Sequence, residues 1–343
     1  MYIRSTIGIT GFVALLGVAS CELDAPLTDT TGYVLPIPEG FSYPFIPDDN
    51  PLSAEKIALG KKLFYDPVLS IDSTISCGSC HKIEYAFADH VPISKGVEGR
   101  LGFRNAPTLG NIAWVPVMTM DGGNPTLETQ PYIPIETHEE MGFNMVLLSE
   151  RLQTDPVYVE AFQNVFDRLP DPFGITRALA AFERTIISGN SPYDQYVFQG
   201  NQNALTESAL RGKALFFSTE LGCANCHSGF MFTNSAFENN GYFENYDSDS
   251  GRARITTLTT DVGKFKVPTL RNIAVTAPYM HNGSIATLEE IIDQYAAGGS
   301  GHVNQSSLIT GFDITVEEKQ DLIQFLHALT DTDFLSNASL ISE

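Results

Sequence analysis

The sequence predicts a mainly α-helical chain made of two tandem copies of one domain, and three observations carry that expectation. A C-x-x-C-H pentad occurs twice, as Cys77-Gly78-Ser79-Cys80-His81 and Cys223-Ala224-Asn225-Cys226-His227. The run Pro107-Thr108-Leu109-Gly110-Asn111-Ile112-Ala113 returns as Pro268-Thr269-Leu270-Arg271-Asn272-Ile273-Ala274, from 107 to 268, an offset of 161 residues. That offset continues ungapped through Gly122/Gly283 and Thr126-Leu127-Glu128/Thr287-Leu288-Glu289, so the chain reads as an internal duplication. Apolar residues also recur at helical spacing, and few segments alternate as strands do.

At the N-terminus, Arg4, the apolar run from Ile7 to Ala19 and the ending Val18-Ala19-Ser20-Cys21 have the order of an export signal over residues 1–21. A cysteine directly after small residues resembles a bacterial lipobox, which makes Cys21 a candidate lipidation site; plain cleavage nearby is the alternative. The protein is therefore expected to be exported and periplasmic, touching a membrane only through that anchor. Residues 22–51, with Pro26, Pro36, Pro38, Pro44, Pro47 and Pro51, read as a tether or an extended strap. No interior stretch nears the ~20 apolar residues of a membrane-spanning helix.

The first domain, 52–190, opens with Ile57, Leu59, Leu63 and Phe64 around Gly60-Lys61-Lys62-Leu63-Phe64-Tyr65. The second, 191–335, repeats this with Leu210, Leu215 and Phe216 around Gly212-Lys213-Ala214-Leu215-Phe216-Phe217. Its later helices are marked by Leu288, Ile291, Ile292 and Tyr295 and by Leu322, Phe325, Leu326 and Leu329. The boundary falls near Ser188-Gly189-Asn190-Ser191-Pro192.

Five cysteines are an awkward number for a disulfide framework, but not for one lipid site and two thioether pairs. In C-x-x-C-H, two thiols one helical turn apart reach one porphyrin edge and the next side chain, a histidine, supplies the proximal iron ligand. A four-cysteine zinc site would leave His81 and His227 unexplained, and a redox disulfide does not call for histidine after both pairs. Two cytochrome c-like domains with covalent haem are expected, attached at Cys77 and Cys80 and at Cys223 and Cys226, with His81 and His227 on iron. With 20 Lys+Arg against 41 Asp+Glu, the net charge of −21 excludes a nucleic-acid binder and favours cationic partners.

The offset sets Tyr295 opposite Pro134. Tyrosine oxygen can ligate ferric iron, whereas proline has no ligating side-chain atom, so one haem is expected six-coordinate and the other open. The alternative makes Tyr295 a core aromatic and Pro134 a loop residue.

Together with Arg104-Asn105-Ala106-Pro107-Thr108 and Ala277-Pro278-Tyr279-Met280-His281-Asn282-Gly283, these motifs make the chain closely resemble the bacterial di-haem cytochrome c peroxidase and MauG family over roughly residues 50–332. The resemblance implies peroxide reduction at the N-terminal haem, with electrons entering through the C-terminal haem from a small cytochrome or cupredoxin. It matches Glu140 to the distal catalytic glutamate, Gln130 and Pro134 to its pocket companions, and Asn105, Thr276 and Pro278 to an interdomain calcium site. A homodimer is compatible with it.

Three departures qualify the match. Val97 stands where peroxidases that need prior reduction carry a distal histidine, so the first haem is expected to be open when oxidised; the nearby His90 reads as structural or surface. Tyr295 replaces the methionine that many such peroxidases place on the second haem, as the MauG branch does, with Met280 and His281 as rival ligands. The usual inter-haem tryptophan is replaced by Met120, and the chain's only tryptophan is Trp114. Peroxide reduction is the leading reading, peroxide-driven oxidation of aromatic residues in a partner protein is the second, and a passive electron carrier is the third.

Overall fold

The computed structural model describes residues 32–341, so Cys21 and the export signal lie outside the described residues. Helices dominate what is described. The first half holds α1 (Ala54–Tyr65), α2 (Cys77–Cys80), α3 (Tyr132–Glu136), α4 (Met145–Gln153), α5 (Pro156–Phe166) and α6 (Pro172–Glu183). The second holds α7 (Pro192–Val197), α8 (Glu207–Phe216), α9 (Ala253–Thr256), α10 (Leu288–Ala296) and α11 (Val316–His327), and α12 (Thr332–Leu335) follows. The strands among the described residues are β1 (Phe237–Glu238) and β2 (Phe265–Lys266), antiparallel with Phe237 opposite Lys266. The described residues include no helix long and apolar enough to cross a membrane.

Local chemistry sets where these helices begin. Asp155, Asp171 and Ser191 cap α5, α6 and α7, each just before a proline whose missing N–H costs nothing at that position. Thr287 and Thr315 accept from the N–H groups of Glu290 and Glu318, whose carboxylates reach back, closing capping boxes on α10 and α11.

Two apolar cores result. In the first, α1 packs on α6 through Leu59, Leu63, Phe64, Leu179 and Phe182. In the second, α8 packs on α11 through Phe216, Phe325 and Leu326, with Phe232 and Ile292 beside them. A glycine sits at each crossing because the helices touch backbone to backbone. A Cβ on Gly60 would lie 1.9 Å from the Ala178 carbonyl oxygen, and one on Gly212 would lie 1.9 Å from that of Asp321.

The junction between the halves is buried rather than slack. Asn111 and Asn272 both adopt the left-handed conformation (φ 62° and 59°) ahead of the 3-10 turns Ile112–Trp114 and Ile273–Val275. Asn111 exchanges hydrogen bonds with Ser188, donating to its carbonyl and accepting from its N–H, both at 2.8 Å. Asn272 donates to the Ser188 hydroxyl and accepts from the Asp331 N–H. Asp331 in turn accepts from the N–H groups of Gly189 and Asn190. Arg271 and Asp194 form a fully buried bidentate pair at 2.8 Å.

Residues before α1 run as a strap over this junction. Leu35 and Leu52 are buried, and the Phe41 ring packs 4.6 Å from Phe230 and 5.6 Å from Trp114, whose indole donates to the Ser42 carbonyl. At the other end, the chain turns back to the first core after Asp331. Phe334 meets Phe87 at 5.8 Å, the Tyr65 hydroxyl donates to the Leu340 carbonyl, and Phe334 and Leu340 are buried in that core.

Candidate functional site

Both pentads form one tight turn each. His81 donates its backbone N–H to the Cys77 carbonyl, and His227 does the same to Cys223, so each histidine follows its thiols by one turn. All four thiols are free and half-buried. The His81 ring meets the Phe87 carbonyl through Nδ1 at 2.8 Å, and the His227 ring meets the Phe232 carbonyl through Nδ1 at 3.1 Å. A carbonyl only accepts, so Nδ1 carries the proton and each Nε2 is left with a lone pair for a metal. Burial also pushes both imidazoles down, toward the neutral ligating form, against the opposing carbonyl bonds. This donor set fits covalently held haem with histidine on iron.

On the first pocket, Gln130, Pro134, Glu140 and Val97 are brought together by one irregular segment. Ile133 N–H donates to the Gln130 carbonyl, Met141 N–H to Pro134 and Val97 N–H to Glu140. Gly96 permits this approach, because a Cβ there would lie 2.2 Å from the Glu139 carbonyl oxygen. Burial, helped by the neighbouring Glu139 charge, raises the Glu140 carboxyl above the usual carboxylate range. Its charge acts on both Cys77 and Cys80, which sets it beside the first thiol pair. The Gln130 Oε1 is buried with no protein partner, an orphaned acceptor of the kind a ligand pocket leaves. Val97 is fully buried, and His90 stacks on Tyr85 at 4.7 Å with its side chain half exposed.

On the second pocket, Tyr295 lies near the end of α10, where the charges of Cys226 and Cys223 act on its hydroxyl. Burial raises that hydroxyl, and a hydrogen bond from Asn240 works the other way. Asn240 also donates from Nδ2 to the Met280 sulfur at 3.3 Å. His281, the other rival ligand, instead stacks on Phe265 at 4.1 Å, and burial pushes it down to about 4. Its carbonyl accepts from the Asn105 N–H at 2.8 Å, which brings Asn105 to the loop that holds Thr276 and Pro278. Thr276 turns its hydroxyl to the Ile273 carbonyl, and the Ala277-Pro278 peptide is cis. The Asn105 amide donates to the Val91 and Pro92 carbonyls.

Three groups escaped the sequence reading. Asn240 sits in Asn239-Asn240-Gly241, which reads only as a turn. Glu183, in Phe182-Glu183-Arg184, could have been found as a charged pair ending an apolar helix; its Oε2 is buried without a partner and its charge acts on Cys77. Across the seam, Arg104 bridges Asp121 (2.8 Å) and Asp249 (2.7 Å), and Arg254 adds a second pair to Asp121 (2.6 Å). Burial opposes it, yet hydrogen bonds from Thr119, Arg254 and Arg104 hold Asp121 well below the usual range.

Comparison with known proteins agrees with this chemistry. A family profile described as di-haem cytochrome c peroxidase matches residues 54–203. The chain is 35% identical over 322 residues to the methylamine utilization protein MauG of Methylorubrum extorquens, covering 91% of this chain and 88% of that one. It is 36% identical to the cytochrome-c peroxidase IdrP1 of a Pseudomonas species, covering 83% of each. Among solved structures, a MauG-like protein associated with microbial copper homeostasis superposes with a TM-score of 0.85 at 34% identity, over 90% of this chain and 98% of that one.

Proposed function

The chain belongs to the di-haem cytochrome c peroxidase family, an oxidoreductase family that implies two c-type haems, and from that premise we propose that it reduces hydrogen peroxide to water at the first haem, with electrons supplied through the second. The observation that carries this reading is the difference between the pockets: Glu140, Gln130 and Pro134 gather on the first, and Tyr295 lines the second. A passive carrier is set aside by membership in a family of enzymes.

Haem iron, when bound in an open site, supplies the electrons and the Lewis acid that peroxide cleavage needs. Glu140 holds and moves the proton. Heterolysis requires a base for the proton of one peroxide oxygen and its return to the other, and a carboxyl raised by burial is suited to both transfers. Gln130 directs its unpaired oxygen at the bound substrate. Pro134 and Val97 offer no ligating atom and keep the position free. Three residues are our assignment for calcium: the Asn105 side-chain oxygen with the backbone oxygens of Thr276 and Pro278, a hard oxygen set between the halves. The matched contacts at Gly60 and Gly212, and at Asn111 and Asn272, support the reading of one domain duplicated into units 52–190 and 191–335. We further infer export to the periplasm, with Cys21 as anchor. The donor we infer is a small cationic cytochrome or cupredoxin.

A second reading is favoured by Tyr295 together with the likeness to MauG and the MauG-like structure: peroxide-driven oxidation of aromatic residues in a partner protein. Assay of peroxide consumption with a reduced cytochrome, against assay with a co-expressed secreted partner, separates the two.

The oxidised protein should show one high-spin and one low-spin haem; two low-spin haems before any reduction would overturn the open first site. Glu140→Gln should lower peroxide turnover by about 10²-fold or more, and unchanged turnover removes Glu140 from the proton path.

A further inference from the structure

Two side chains that could each ligate the second iron, Tyr295 and Met280, converge on a single amide. Asn240 Nδ2 lies 3.3 Å from the Met280 sulfur, and the same side chain hydrogen-bonds the Tyr295 hydroxyl. The amide cannot be turned the other way round. The Tyr242 backbone N–H donates to the other end of Asn240 at 3.2 Å, which identifies that end as the oxygen and leaves the NH₂ group facing the two rivals.

We propose that Asn240 is a positioning residue that decides which of these side chains occupies the distal position of the second haem, favouring the tyrosine oxygen and holding the methionine sulfur back. This rests on the reading of Tyr295 as ligand given above. The two hydrogen bonds are unequal in kind. A donor to a phenolate is charge-assisted and stabilises the anionic form that binds ferric iron, and the oxygen keeps further lone pairs for the metal. A thioether is a weak neutral acceptor that gains little, but the contact fixes where its sulfur points. Met280 is further constrained by its backbone, which is held at φ 73° in a turn closed by the Gly283 N–H on its own carbonyl and by the Tyr279–Ile285 bridge. The sulfur is thus presented next to the tyrosine and restrained by the amide. Removing the amide frees one ligand and weakens the other.

The test is the optical and electron paramagnetic resonance spectrum of oxidised holoprotein for Tyr295→Phe, Asn240→Leu and Asn240→Asp. Tyr295→Phe should abolish the phenolate-to-iron charge-transfer absorption; if it changes nothing, the tyrosine-ligand reading itself fails. Given that change, Asn240→Leu should replace the phenolate signature with the near-infrared methionine-to-iron band and raise the potential of the second haem. Asn240→Asp keeps the shape but sets a carboxylate against the phenolate, and should displace the tyrosine even if the leucine variant does not fold. Adding Met280→Leu to either variant should then leave the second haem high-spin. Wild-type spectra from both Asn240 variants would overturn the proposal while leaving Tyr295 as ligand intact.

Discussion

Glu183 is only 7% exposed and has an oxygen with no partner, yet it is an acid beside the first thiol pair. Burial pushes it up to about 8; Arg184 opposes the rise and Glu128 adds to it. The unfolded chain ionises this group near the ordinary glutamate value, whereas the folded one keeps the proton until about pH 8. Between those values the unfolded state binds fewer protons, so stability falls as pH rises through the window. Glu183→Gln should flatten that fall, gaining about 1 kcal/mol or more over wild type at pH 8 relative to pH 5. Denaturant unfolding of the holoprotein at the two pH values measures it, and parallel shifts at both would refute it. Residues of this kind explain what the sequence could and could not disclose. The cysteines and histidines of the pentads are legible because thioether and iron chemistry fix a local spacing. Glu140 and Tyr295 came through resemblance and through the offset of 161 from Pro134, while Asn240 and Glu183 depend on neighbours distant in sequence.

Among elements, the two helix crossings carry the clearest test. Alanine is the better helix former by about 1 kcal/mol, so Gly60→Ala and Gly212→Ala would stabilise an isolated helix. Here each new Cβ would stand 1.9 Å from a backbone carbonyl oxygen, which no rotamer relieves. The crossing has to open, and each variant should lose roughly 1–3 kcal/mol net, read as a lowered Tm or urea midpoint. Neutral variants would show that the helices separate at no expense. The Gly-Lys-x-Leu-Phe repeat was visible in the sequence, but the reason for its glycine is a tertiary contact. α10 was legible too, since Thr287 and Glu290 announce its start, and its helix begins at Leu288 as the periodicity required. Its counterpart across the offset, α3, is limited to Tyr132–Glu136. Pro131 and Pro134 lack the N–H groups a longer helix would need, so the first pocket is bordered by a turn where the second is bordered by a full helix.

At the scale of the molecule, the balance of 20 cationic against 41 anionic side chains should steer cationic electron donors to the surface. The association rate should fall as ionic strength rises past the point where the screening length is about 10 Å; a rate indifferent to salt would rule steering out. Length and repeats anticipated two units, but the junction was misjudged in character. A Ser-Gly-Asn-Ser-Pro stretch suggests slack, and it is instead buried by Asn111, Asn272 and Asp331, with the Arg104–Asp121 seam alongside. The return of the chain after Asp331 has a consequence for how the protein is born. Phe334 and Leu340 complete the core that α1 and α6 begin, so the half made first is finished by the residues made last. A nascent first half emerging on its own therefore presents an open apolar face around Phe87 and Tyr65 until synthesis ends. Folding is closed by a contact spanning nearly the whole polypeptide, which ties completion of the peroxide-handling half to completion of the entire chain.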